Sequence, residues 1–159
     1  MLFKKRVLVT DYCTGKLTHL FSQESEMTWD NLRTRCDDAA LSQADKNLYY
    51  DNLRAVMSRL MQIAIAKNSK MSSGIAAQLF MDDYLKKRGL TEIDSLSGEY
   101  SQAFGSSYTD GVTPMVELFA HKVTQSKMAE HTKRQFYTAF YVILKTFFEE
   151  FESIKLVTV

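Results

Sequence analysis

Residues 129–152 read AEHTKRQFYTAFYVILKTFFEEFE, and the spacing of their apolar side chains decides the fold class. Phe136, Phe140, Ile143, Phe147 and Phe151 recur at intervals of four, three, four and four, the period of one helix face. Tyr137, Tyr141, Leu144 and Phe148 thicken that face. A core-facing stripe spans roughly 100°. A wider one leaves surface for a second copy or a partner, and Tyr137, Tyr141 and Phe148 are the interface candidates. Lys145, Glu149 and Glu150 interrupt the segment well short of the roughly 18 apolar residues of a membrane span.

The same period runs through residues 43–67, where Tyr49, Leu53, Val56, Leu60, Ile63 and Ala64 recur every three to four residues. Met57 and Met61 widen the stripe and, with Met81, suit either a gap-filling core role or a pliable pocket. Ser42 and Asp45 have the spacing of a capping box for this helix. A helix over 11–22 carries Cys13, Leu17, Leu20 and Phe21, and Thr28 is the expected cap of the next, with Trp29, Leu32, Cys36 and Ala39 on one face. Beyond Ser72 or Ser73, Ala76, Leu79, Phe80, Asp83 and Tyr84 define another helix. Lys86, Lys87 and Arg88 fall in its last turn, Gly89 suits a left-handed C′ position, and Leu90 supplies the apolar contact that follows. Thr91 to Asp94 open a further helix, and Pro114 fits the first turn of the one after it. The expectation is an all-α fold, a single domain over 1–159. It is a compact irregular bundle of six or seven helices with short extended N- and C-terminal arms (FKKRVLVT and SIKLVTV) that can pair. Residues 43–67 and 129–152 form its centre, with Leu53, Leu60, Phe140, Ile143 and Phe147 deeply buried.

A chain of 159 residues can bury a core without a metal or disulfide staple. One proline and six glycines are too few for a turn-rich β-sandwich. Twenty basic against 19 acidic residues leave a net charge of +1, which gives no global case for nucleic acid or a membrane surface. Cys13 and Cys36 lack CxxC spacing and read as two reduced thiols of a cytoplasmic protein.

Four constellations carry possible chemistry. AFGSSYTDGVTP, residues 103–114, offers Gly105, Ser106, Ser107 and Gly111 as an anion-binding loop. It matches neither GxxxxGK[ST] nor GxGxxG and lacks a preceding apolar strand, so an interhelical hinge is the reading preferred. Glu117 and His121 lie four apart and can share a helix face, which makes them the metal candidates. The Glu-x-x-His signature of helical metal bundles is absent. Cys13 and His19, six residues apart, fall on nearly opposite sides of one helix, an arrangement unsuited to a thiol nucleophile and its base. Lys122, Lys127, Lys133 and Arg134 form the local basic cluster, without a recognisable recognition helix. The leading expectation is a non-enzymatic cytoplasmic interaction or regulatory domain that self-associates or binds a protein partner and needs no cofactor. A metal-dependent bundle enzyme and a nucleic-acid-binding regulator are the alternatives.

Overall fold

A computed structural model describes residues 3–105 and 110–159. The fold is all-α: eight helices among these residues, joined to a single pair of short strands. The chain runs β1 (Lys5–Leu8), α1 (Val9–Leu20), α2 (Gln23–Arg35), α3 (Ala39–Ser42), α4 (Lys46–Asn68), α5 (Met71–Lys87), α6 (Thr91–Gly105), α7 (Val112–Thr124), α8 (Glu130–Ser153) and β2 (Ile154–Val157). The helix beyond the expected six or seven is the single turn α3.

Helix α4 is the axis of the bundle. Its buried residues, from Tyr49 to Ile65, include positions on every side, so it is enclosed rather than amphipathic. Helices α5, α6, α7 and α8 pack around it. One end of the core is aromatic: Phe119 of α7 lies 4.8 Å from Phe136 and 5.6 Å from Phe140 of α8, and Tyr49 stands edge-on to Phe136 at 6.4 Å. Such tilted and edge-on pairs set the negative ring face against the positive edge. Three buried polar contacts tie the helices together within this core. The Tyr49 hydroxyl donates to the Trp29 carbonyl at 2.7 Å, Tyr100 donates to Asn52 Oδ1 at 2.8 Å, and the Ser58 and Ser97 hydroxyls meet at 3.1 Å.

Caps explain most boundaries. Helix α5 ends in a Schellman motif: Gly89 takes φ +70, its N–H donates to Lys86, and the Leu90 N–H reaches back to Leu85 at 2.8 Å. Helix α2 corrects the expectation placed on Thr28. Ser22 is the cap, its hydroxyl accepting from Ser25 N at 3.2 Å, and Thr28 sits inside the helix with its hydroxyl bonded back to Glu24. Ser42 belongs to α3, and Asp45 alone caps α4 by accepting from Leu48 N at 2.8 Å. Helix α5 starts after Lys70 without a side-chain cap, ahead of Ser72 and Ser73.

The terminal arms do pair. β1 and β2 run parallel, with Lys5 opposite Ile154 and Leu8 opposite Val157. Lys4 Nζ adds a 2.7 Å bond to the Phe151 carbonyl. Two expected core positions need correcting. Leu53, Leu60 and Phe140 are fully buried, whereas Ile143 and Phe147 are only partly so. The buried row of α8 is Thr132, Phe136, Phe140, Leu144 and Phe151, and α7 meets its first half through Phe119 against Phe136 and Phe140 and Glu117 against Lys133. On α5 the buried row is Ser73, Ala77, Met81 and Leu85, which leaves Leu79 outside at 64% exposure.

Candidate functional site

The partial exposure of Ile143 and Phe147 has a cause. Past Phe140 the second half of α8 faces α1 and α2 across a groove of about 330 Å³. Leu17 and Leu20 form one wall, and Ile143 and Phe147 the other. Met57, Met61 and Trp29 make the floor and far side. Two of the methionines singled out from sequence thus line a cavity, while Met81 is buried in the core row of α5.

The groove's hydroxyls are turned away from it in bonding terms. Ser25 donates to the His19 carbonyl at 2.6 Å, Thr28 to Glu24, and Thr146 to Val142 at 2.8 Å. Ser58 donates to Ala55 at 3.0 Å and meets Ser97. An apolar group entering the groove therefore leaves no wall hydroxyl without a partner.

Lys16 and Glu150 stand at one end, and Tyr12 backs Glu150 from outside the groove. Glu150 accepts from the Tyr12 hydroxyl at 2.7 Å through one carboxylate oxygen and from Lys16 Nζ at 2.5 Å through the other. The Lys16 ammonium also lies 5.4 Å from the Tyr12 ring centre and 5.7 Å from that of Phe147. Burial first, and then the Glu150 carboxylate, push the Tyr12 phenol far above its ordinary range, so it remains a neutral donor. Next to it, burial pushes the Cys13 thiol up to about 12, opposite to the shift that activates a nucleophile.

The other sequence candidates fall in separate places. Gly105 ends α6, and Ser106 and Ser107 lie outside the described residues. At the start of α7, Asp110 accepts from the backbone N–H of Val112 at 3.1 Å and from the Thr113 hydroxyl at 2.8 Å. A carboxylate of the chain thus sits where the helix N-terminus would receive an anion. Partial burial works against its charge, but hydrogen bonds from Thr113, Tyr137 and the backbone hold Asp110 below the usual carboxylate range. Gly111 has an ordinary φ of −71, and its role is close packing: a Cβ there would come within 2.6 Å of the Phe104 ring.

Glu117 pairs with Lys133 at 3.0 Å, and His121 Nδ1 meets the Ser126 hydroxyl at 2.8 Å. Among the described residues no three His, Cys, Asp or Glu side chains gather in a metal-holding group. Within the basic cluster, Lys122 pairs with Glu99 and Lys133 also with Glu130. Tyr137 and Tyr141 stack at 6.2 Å with their planes 12° apart; Tyr141 is 52% exposed, while Phe148 packs partly against the core.

Sequence reasoning missed two features. The groove depends on how α1 and α2 diverge from α8, for which no local pattern exists. The other is a carboxylate pair, Asp82 of α5 beside Asp94 of α6, where burial and then Asp94 raise Asp82 above the carboxylate range. Arg59 stands near both and donates to the Ser97 carbonyl at 3.0 Å.

No helix among the described residues is long and apolar enough to cross a membrane. No protein family, curated protein or solved structure matches this chain.

Proposed function

We propose that this chain is a non-catalytic cytoplasmic interaction domain whose α1–α2–α4–α8 groove receives apolar side chains of a protein partner. The groove carries the reading. Its volume lies at the lower end of the range for ligand sites, and its lining is mostly apolar with a polar cluster at one end. Met57 and Met61 supply walls that adapt to an entering group. Because the wall hydroxyls are committed to backbone carbonyls, a small molecule finds little in the wall to orient it. A protein brings its own rim contacts, and Lys16, Glu150 and the exposed His19 stand at the rim to meet them.

Trp29 is the only tryptophan in the chain and lines the groove, so its fluorescence reports on occupancy. Titration with anilinonaphthalene sulfonate should give saturable energy transfer from Trp29. Thr146→Phe, on the exposed lip, should weaken that binding while leaving the helical circular dichroism intact. Absence of transfer, or transfer indifferent to Thr146→Phe, would remove the groove as the binding site.

A further inference from the structure

A second cavity is independent of the groove. It measures about 360 Å³ and opens where β2 passes the turn between α4 and α5. Lys4, Lys70 and Lys155 line it, each from a different part of the chain, and no aspartate or glutamate does. Ile154 and Leu156 supply an apolar wall. Lys4 Nζ donates one bond to the Phe151 carbonyl. Lys70 and Lys155 are exposed and have no hydrogen-bond or ion-pair partner among the described residues. Asn68 gives one amide N–H to the Ala64 carbonyl, which leaves the other free to donate.

The excess of cations persists beyond the lining. The strands, their flanks and the α4–α5 turn carry Lys4, Lys5, Arg6, Lys67, Lys70 and Lys155 against Asp11 and Glu152. Glu149 and Glu150 pair with Lys145 and Lys16, and Lys67 lies 5.7 Å from the Phe104 ring centre. The strand register sets Arg6 opposite Lys155, a like-charge pair that works against the clasp until an anion stands beside it. In a chain of net charge +1, this corner is strongly cationic. Lysine ammoniums are compact point charges suited to phosphate. A phosphate monoester carries a charge of roughly −1.5 to −2 at neutral pH, enough to answer several ammoniums at once. The volume leaves room beside it for a small organic body against Ile154 and Leu156. A bilayer or a duplex would instead match cations spread over a flat or extended surface, whereas these border one concavity.

We propose that the cavity between the strand pair and the α4–α5 turn binds the phosphate of a small soluble phosphomonoester, held by Lys4, Lys70 and Lys155. The bound anion joins β2 to the turn and relieves the Arg6–Lys155 repulsion, so binding also stabilises the clasp.

Amide NMR of the full chain, titrated with glycerol 3-phosphate at an ionic strength held constant with chloride, is the test. The expected result is saturable shifts at residues 68–70 and 154–156, with a dissociation constant of about 1 mM or tighter. Hydrogen exchange across β1 and β2 should slow as the site fills. Lys70→Gln and Lys155→Gln should each weaken binding about fivefold, the effect of one ammonium removed from contact with the anion. Both side chains are exposed and unpaired, so the helical circular dichroism should not change. Lys127→Gln, at an exposed lysine of the α7–α8 turn, should leave binding unchanged. Shifts that never saturate, or an equal loss from Lys127→Gln, would mean diffuse charge and overturn the proposal. So would co-sedimentation with phosphatidylcholine vesicles containing phosphatidic acid when glycerol 3-phosphate does not bind, since the phosphate would then be recognised only on a lipid surface.

Discussion

The two halves of α8 carry the same kind of side chain and do different things. Phe136 and Phe140 are enclosed by Phe119 and Tyr49, while Ile143 and Phe147, one to two turns on, form the wall of an open groove. Composition does not separate them; coverage does. Helix α7 lies along the first half, and α1 meets the second only near its end, where the Tyr12 and Phe151 rings come within 5.5 Å. An apolar stripe in sequence thus states what a helix is able to bury, and its neighbours decide how much of it is buried.

The sharpest way to break this contrast is a pair of truncations. Phe140→Ala should cost about 3–5 kcal/mol in chemical denaturation, because it removes a ring from a packed aromatic cluster. Phe147→Ala should cost only about 1 kcal/mol, since the half-buried ring already forgoes part of its transfer free energy. Equal losses would mean that the groove is closed in solution. Gly111→Ala tests the covering helix. The new methyl group would press on the Phe104 ring at the entry to α7, and a thermal melt should show a loss of about 1–3 kcal/mol.

A smaller effect ties the closed half of α8 to pH. Asp38 accepts from Leu41 N at 3.1 Å and from Ala129 N at 2.9 Å, so one carboxylate caps α3 and anchors the start of α8. Burial opposes its charge, but the Ala129 and Leu41 N–H groups and the Thr132 hydroxyl outweigh burial and hold Asp38 below the usual carboxylate range. A folded-state value below the unfolded one gives a contribution that is full above the unfolded value and is lost as pH falls through the folded one. Asp38→Ala should therefore cost about 1–3 kcal/mol near neutral pH, and the gap to wild type in urea denaturation should close in acid. A gap that persists in acid would assign the effect to packing. Thr146→Phe comes last: its melting point should match wild type within error even as probe binding falls.

Legibility followed the same division. The extents of α4 and α8 could be read because their apolar period is long and uninterrupted. The end of α5 was readable because Lys86, Lys87, Arg88, Gly89 and Leu90 supply every part of one local motif. The spacing puts the cap of α2 at Thr28 because the apolar stripe begins at Trp29, whereas Ser22 is followed by polar residues, and only geometry shows Ser22 reaching Ser25 N. The spacing puts Leu79 on a defining face of α5, although the row at Ser73, Ala77, Met81 and Leu85 is the one that packs inward. Small residues there bring α5 close to its neighbours, and a hydrophobicity pattern gives them little weight. The Met57–Met61 contribution to a pocket was visible as a possibility, but Ile143 and Phe147 as groove walls were not, because the divergence of three helices has no local signature.

The parallel strand pair has a kinetic consequence. Lys4 and Phe151 are 147 positions apart, so this clasp closes nearly the whole polypeptide into a ring. Contacts of such separation carry a large closure entropy and tend to form late. Two strands of four residues each have little stability of their own. Amide protons of the clasp should exchange with solvent well before those of α4. The clasp therefore extends the same ends of α1 and α8 that Tyr12, Lys16 and Glu150 already join, and it adds a long-range closure to a contact that the helices make by themselves.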